Sequence, residues 1–226
     1  MEDIMRLAMS EAMLFKYGSG TGSDLSSLRS TREKLSGGGK PSGPLSFMRV
    51  YDQIAAVVKS GGKTRRAAKM VVLDIDHPDV DEFIWCKAKE ERKARVLEQA
   101  GYDMSLDSPD WGSIQYQNAN NSVRVTDAFM ESVVEGKEWN LTARTDGSVV
   151  RSVDARELLK QAVARHAGPD PENRRQARML LAIIEHVTRN YAEAEKLVKE
   201  ALALEPGVEE ESRLLFVLGR TYVSSG

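Results

Sequence analysis

The stretch "VVKSGGKTRRAAKMVVLDIDHPDVDEF", residues 57–83, sets five basic side chains, Lys59, Lys63, Arg65, Arg66 and Lys69, around two adjacent glycines, just ahead of an apolar run that stops at Asp-His-Pro. Backbone N–H groups in a glycine-rich turn can converge on an anion, and lysine and arginine add charge and forked donors that match phosphate oxygens. The chemistry on offer is the holding of a nucleotide phosphate. The segment fits neither the Walker pattern nor the dinucleotide fingerprint, so a solvated basic loop is the competing reading. A second glycine cluster, "GSGTGSDLSSLR" at 18–29, is open to the same two readings. One helix separates the two loops, and loops at the ends of neighbouring elements can face a common ligand.

Other reactive residue types are sparse. Cys86 is the single cysteine, set in "FIWCKAKEE" with no second Cys and no nearby His. It cannot form an intramolecular disulfide, and it reads as a free, structurally neutral thiol rather than a metal ligand. His77, just before Pro78, reads as a cap on a strand end rather than a metal ligand. No metal site is expected.

The elements that must position these loops follow from periodicity. Ile4, Leu7, Ala8, Ala12 and Phe15 recur at helical spacing over Glu2 to Phe15. "YGSGTGSDLSSLRS" breaks that helix, and "SGGGKPSGP" is a flexible loop. A second amphipathic helix, "LSFMRVYDQIAAVVK", carries Phe47, Val50, Ile54 and Val57 on one stripe. "KMVVLDI" has the length and β-branched content of a buried strand, and Pro78 marks where regular pairing ends. "DVDEFIWCKAKEERKARVLEQAGY" is helical at both ends with a charged outer face, and "SIQYQNANNSVRVTD" mixes loop and strand. "EWNLTARTDGSVVRSVD" has the form of a hairpin around Asp146-Gly147, a dipeptide suited to a tight primed turn.

Beyond about residue 159 the pattern is helical throughout. "NYAEAEKLVKEALALEP" places Ala194, Val198, Ala201 and Pro206 at the offsets of the second helix of a tetratricopeptide repeat, and "LLFVLGRTYVSSG" supplies the Leu-Gly-x-x-Tyr of a following first helix. The region resembles one and a half such repeats; an ordinary helical hairpin is the alternative. Leu180, Leu181, Ile184, Leu197, Ala201, Leu204, Leu215 and Leu218 are its expected packing positions.

The chain of 226 residues suits one large domain or two small ones. With 32 basic and 34 acidic residues its net charge is −2, so no global field recruits nucleic acid and any anion site must be local. Its apolar runs fall far short of the roughly 18–20 residues of a membrane helix. The acidic start "MEDIM" lacks the basic region of a signal peptide. The expectation is a cytoplasmic protein with neither membrane nor nucleic acid as partner.

"EAMLFKYGSGTGSDLSSLR", "PSGPLSFMRVYDQ", "SGGKTRRAAKMVVLDIDHPDVDEFI" and "QNANNSVRVTDAFM", in this order and spacing, closely resemble the large catalytic chain of ribonucleotide reductases, specifically the adenosylcobalamin-dependent (class II) branch. The resemblance covers roughly residues 1–158. It implies an α/β fold, part of a ten-stranded barrel that removes the ribose 2′-hydroxyl of ribonucleotides by radical chemistry. Lys59 to Lys69 match the family's mobile specificity loop, between the allosteric nucleotide and the substrate base. Within it Ser60, Gly61, Gly62 and Thr64 are the loop proper, and Lys59, Lys63, Arg65 and Arg66 carry charge toward the effector. Arg29 matches an arginine that grips the effector's phosphates. Gly20, Thr21 and Gly22 match a backbone stretch close to the substrate ribose, where any Cβ would crowd the ligand. Lys34 and Lys40 lie in a loop of variable length and are left unaligned. The flanking helices correspond to surfaces used in family dimers.

The same resemblance implies absences. The family's radical cysteine, its neighbouring Asn and Glu, and its electron-supplying cysteine pair have no counterpart, and Cys86 matches neither role. Met1 falls inside the family sequence, shortly after the first redox cysteine. The expected architecture is therefore a barrel fragment with effector and specificity elements, 1–158, joined to an all-α tetratricopeptide-like tail, 159–226, by fusion or by a chimeric reading frame. Its expected ligands are a ribonucleotide substrate and a deoxynucleoside triphosphate effector. A homodimer and a protein partner for the tail are the further expectations. Adenosylcobalamin is the family cofactor, though no site for it is evident. The alternative function is a non-catalytic nucleotide-sensing or protein-interaction module using the helical repeats.

Overall fold

The computed structural model describes residues 1–58, 68–166, 171–204, 206 and 208–225. The chain divides into two compact units, Met1–Val125 with Asn140–Arg151, and Thr126–Trp139 with Ser152–Gly226.

The first unit is built on a parallel sheet in the order β1-β2-β3, where β1 is Thr21–Asp24, β2 Lys69–Asp74 and β3 Asn120–Arg124. Thr21 pairs with Lys69, and Met70 with Asn120. Parallel neighbours need long crossovers, and helices supply them. α2 (Gly43–Val57) lies between β1 and β2, and α3 (Val80–Gln99) between β2 and β3. α1 (Glu2–Lys16) precedes the sheet and packs on α2 and β1. The apolar residues of β2, Val71, Leu73 and then Ile75, are all buried, as a central strand requires. Phe15, Met48, Tyr51, Val80 and Phe83 close the core around them.

The helix expected at 2–15 is present, that expected at 45–59 is seen as Gly43–Val57 with Val58 already extended, the strand expected at 69–75 is Lys69–Asp74, and α3 is continuous from two residues after Pro78. Two expectations need correction. "TGSD", read as part of a break, is β1. The hairpin of β4 (Glu138–Thr142) and β5 (Val149–Asp154) does not turn on a two-residue primed loop: Ala143 and Ser148 close it, with Gly147 at φ +74 and Asp146 outside the left-handed region. A type I′ turn needs both central residues there, and only glycine takes that conformation freely.

In the second unit, α4 (Asp127–Glu135) starts at Thr126, whose side chain accepts from Phe129 N–H, and ends at Gly136 in the left-handed region. α5 (Ala155–His166), α6 (Pro171–Val187), α7 (Tyr191–Leu202) and α8 (Val208–Ser225) follow, and beyond residue 155 every element among the described residues is a helix. α6, α7 and α8 share a small core of Ala182, Val198, Ala201 and Leu214. Ala194, Val198 and Ala201 are fully buried, as their spacing predicts. Leu180 and Leu215 are not: both are about half exposed, and Leu214 turns inward instead. No helix among the described residues is long and apolar enough to cross a membrane.

Candidate functional site

The two halves of the expected site fall at opposite ends of β1. Gly20, Thr21 and Gly22 open the strand. Thr21 N–H donates to the Ala68 carbonyl at 2.9 Å. A Cβ on Gly20 would meet that carbonyl oxygen at 3.0 Å and would press on the backbone that leads into β2. Among the described residues nothing lies within 4 Å of such a Cβ on Gly22, and its φ is not positive, so their packing does not demand it. Lys59, Ser60, Gly61, Gly62, Lys63, Thr64, Arg65 and Arg66 lie outside the described residues.

Lys69, the last base of the run, is not a solvent-facing donor. It sits in β2 with its side chain fully buried, its Nζ 2.5 Å from Glu11 Oε1 and 3.2 Å from Ser23 Oγ, and over the Tyr51 ring at 5.1 Å from the centroid. Ser23 Oγ and, more weakly, Thr21 Oγ1 donate to the same Glu11 oxygen. Glu11 occupies the buried stripe of α1 with Ala8 and Phe15, a position that periodicity alone assigns to an apolar residue. Its other oxygen, Oε2, is buried without a hydrogen-bond partner among the described residues.

Arg29 follows the far end of β1. It is exposed and makes no ion pair among the described residues, so its guanidinium is open to an incoming anion. The backbone on both sides of it is fixed. His77, fully buried, accepts Asp79 N–H at Nδ1 (3.0 Å), which leaves the proton on Nε2 to donate to the Leu28 carbonyl at 2.9 Å. Burial lowers the His77 pKa, in keeping with a neutral ring. Asp79, also fully buried, accepts from Ser30 Oγ (2.7 Å), Thr31 N–H (2.8 Å) and Thr31 Oγ1 (2.9 Å). Glu33 accepts Ser30 N–H at 2.7 Å and holds the hairpin loop through Thr145 N–H and Oγ1. Burial would raise the Glu33 carboxyl, and these bonds outweigh it, so its pKa lies below the ordinary value. Sequence reading gave His77 its capping role and missed Asp79 and Glu33. For Asp79 the signal was "DIDHPD" itself, polar residues of the kinds that bond to loop backbone, and no such run marks Glu33.

The strand ends are stitched by further ion pairs. Arg124 on β3 bridges Asp24 at 2.9 Å and Asp74 at 2.5 Å. Arg144 reaches Asp76 at 2.6 Å and donates to the Ser26 carbonyl at 2.7 Å. Burial would raise the Asp76 carboxyl, and the Arg144 guanidinium more than cancels that effect. Lys34 and Lys40 are exposed. Cys86 is buried, its thiol donating to the Phe83 carbonyl at 3.1 Å, which agrees with an inert role. No group of three potential metal ligands occurs among the described residues.

The first unit is thus a parallel α/β sheet with an exposed arginine, Arg29, beyond the carboxyl end of β1. The comparisons name the family. The description "Ribonucleotide reductase, barrel domain" matches residues 1–203, and the chain belongs to that family of enzymes. The "Vitamin B12-dependent ribonucleotide reductase" of Rhodopirellula baltica is 59% identical over 175 residues, 76% of this chain and 17% of the relative. That of Streptomyces avermitilis is 55% identical over 172 residues, 76% of this chain and 18% of the relative. The chain thus spans under a fifth of these relatives' length. The alpha subunit of the Actinobacillus ureae class Id ribonucleotide reductase aligns with a TM-score of 0.48 at 18% identity, covering 74% of this chain and 23% of that one.

Vitamin B12 is the cofactor that the relatives' names give, and none of the described residues is assigned to it.

Proposed function

We propose that this chain carries the effector-binding and specificity elements of an adenosylcobalamin-dependent ribonucleotide reductase, the enzyme that converts ribonucleotides to deoxyribonucleotides. The observation that supports it most is Arg29, an exposed guanidinium on a backbone pinned by two fully buried side chains, His77 and Asp79. Immobilising the loop beforehand lowers the entropy cost of gripping a phosphate. In this reading Arg29 pairs with the phosphates of a deoxynucleoside triphosphate, Lys59 to Arg66 carry the specificity loop, and Gly20 to Gly22 pass the substrate ribose. The relatives' names motivate the cofactor, which other residues would hold. Met5, Met9 and Met13, one turn apart and about half exposed on α1, support a homodimer through that helix. The tail from 159 is proposed to be tetratricopeptide-like, which the buried Ala194, Val198 and Ala201 favour.

The test is equilibrium binding of a fluorescent deoxynucleoside triphosphate to the chain. Arg29→Ala should weaken it about tenfold or more, one charge-assisted contact of about 1.5–3 kcal/mol. Gly61→Ala should change which nucleotide is preferred more than how tightly phosphate is held. Both changes are then placed in an intact relative, where effector affinity and substrate choice are measured separately. Unchanged affinity in Arg29→Ala would refute the reading.

A further inference from the structure

Side chains alternate along the strands of the first unit, and the alternation separates a covered face from an open one. Ser23, Lys69, Val71 and Leu73 are buried on the helix side, and Asn121 Nδ2 reaches Cys86 Sγ of α3 at 3.3 Å. Their neighbours along the strands point the other way. Gly22, Met70 and Asn120 are aligned across β1, β2 and β3 in one row of that second face, and all three are exposed. Parallel sheets are as a rule covered on both faces, so an open one leaves room for an occupant. The backbone that leads into Asn120 is anchored. Asp52, fully buried on α2, accepts from Asn118 N–H at 2.8 Å and from its Nδ2 at 3.1 Å, and Lys87 of α3 donates to the Ala119 carbonyl. Asn120 is therefore held at the start of β3 with its side chain turned outward.

The chemistry of the row limits what can lie on it. No described residue comes within 4 Å of a Cβ on Gly22, so a ligand can approach the backbone there. Met70, 47% exposed, offers adaptable apolar surface. Asn120 carries a donor and an acceptor on one planar amide, the pair by which asparagine matches the edge of a nucleobase. Charge enters the face only further along the strands, where Arg124 is already engaged by Asp24 and Asp74. The row thus suits the uncharged part of a nucleotide. Gly22 and Asn120 are two strand spacings apart, about 10 Å, the reach from a ribose to the far edge of its base. We propose that Asn120 hydrogen-bonds the base of the ribonucleotide whose ribose lies on Gly22, with Met70 under the nucleoside between them. The inference rests on the reading that Gly20 to Gly22 pass the substrate ribose, and adds to it a base-contacting residue on the third strand. A second copy of this chain is the poorer occupant, because a row of glycine, methionine and asparagine lacks the apolar centre of a protein interface.

The test is an NMR titration of the isotope-labelled full chain with adenosine 5′-diphosphate and, separately, with ribose 5-phosphate. The diphosphate should shift the backbone amides of Gly22 and Met70 and the side-chain amide of Asn120 together and saturably. Asn120→Val removes the amide at an exposed position and suits a strand, so the melting midpoint should not fall. It should bind the diphosphate about three- to tenfold more weakly, the loss of one neutral hydrogen bond. Ribose 5-phosphate has no base, so its affinity should be the same in both proteins, and deoxynucleoside triphosphate binding through Arg29 should also be unchanged. Shifts at Gly22 without one at Asn120, or equal diphosphate affinity in Asn120→Val, would overturn the inference and leave the ribose reading standing. No shift at either residue would overturn both. An equal loss for ribose 5-phosphate would move the contact from base to sugar and overturn the proposal. So would a dimer, seen by sedimentation, that dissociates in Met70→Lys, because the face would then belong to a second copy.

Discussion

Lys69 stands in a run of bases whose composition suggests phosphate binding, yet it is turned inward onto Glu11. A buried pair is costly to break from one side, because the survivor is left charged and unpaired. Lys69→Met or Glu11→Gln should each lower unfolding free energy by about 3–5 kcal/mol, with the double replacement costing less than the sum of the two. Urea titration of the three variants checks this, and additive losses would exclude the coupling. His77 makes a prediction in pH. Its folded pKa is depressed from 6.5 by burial, so the unfolded chain takes up the proton first. The contribution of the neutral ring is whole above that value and is lost as pH falls through the folded one. Ring nitrogen shifts by NMR should retain the Nε2-protonated neutral form at pH values below 6.5, and a ring already cationic at neutrality would exclude the bond from Asp79 N–H. Gly22 separates ligand from fold. With no described residue within 4 Å of its Cβ position, Gly22→Ala should leave the melting midpoint unchanged. Loss of nucleotide affinity in that variant would support its place beside the ribose, and unaltered binding would remove it from the site.

Among the elements, those with a strong apolar period were legible and those shaped by their neighbours were not. β2 announces itself through "MVVL", whereas β1 is "TGSD" and β3 "NNSVR", with one residue of high strand propensity each, Thr21 and Val123. Those two are strands because β2 offers each a parallel edge, and no local pattern encodes that. The reversed choice between Leu214 and Leu215 has a similar origin. In "RLLFVLG" two adjacent leucines fit a helical stripe equally well until a partner helix fixes the phase. The end of α4 is decided locally. Gly136 has φ 68°, Lys137 N–H closes onto the Ser132 carbonyl, and Arg156 donates to the Val133 and Val134 carbonyls. A Cβ at 136 would lie 3.1 Å from the Arg156 guanidinium carbon. Gly136→Ala should therefore destabilise by about 1–2 kcal/mol through the left-handed backbone alone. Amide exchange at Lys137 should quicken with it, and unaltered stability would show that the cap is dispensable.

For the molecule as a whole, the family was legible because several long motifs lie in register, while the geometry that makes a site was not. Arg29 could be named from "LSSLR", but its fixed backbone depends on His77 and Asp79, some fifty residues downstream. What the chain can do chemically follows from its thiols. Replacing a ribose 2′-hydroxyl by hydrogen consumes two electrons and releases water, and in the resemblance a cysteine pair supplies the electrons after a third, as a thiyl radical, takes a hydrogen atom from the sugar. The chain has one cysteine, and it cannot close an intramolecular disulfide. An external dithiol could replace the pair, but the radical still needs a thiol in contact with the ribose. Cys86 is 3% exposed on α3, with its proton committed to the Phe83 carbonyl. The purified chain, supplied with adenosylcobalamin, dithiothreitol and a ribonucleoside di- or triphosphate, should yield no deoxyribonucleotide above a protein-free control when the products are resolved by chromatography. Fluorescent deoxynucleoside triphosphate should bind the same preparation and do so through Arg29. Cobalamin-dependent product would refute the assignment of Cys86 as inert. Product that persists in Cys86→Ser would show that the radical needs no thiol of this chain.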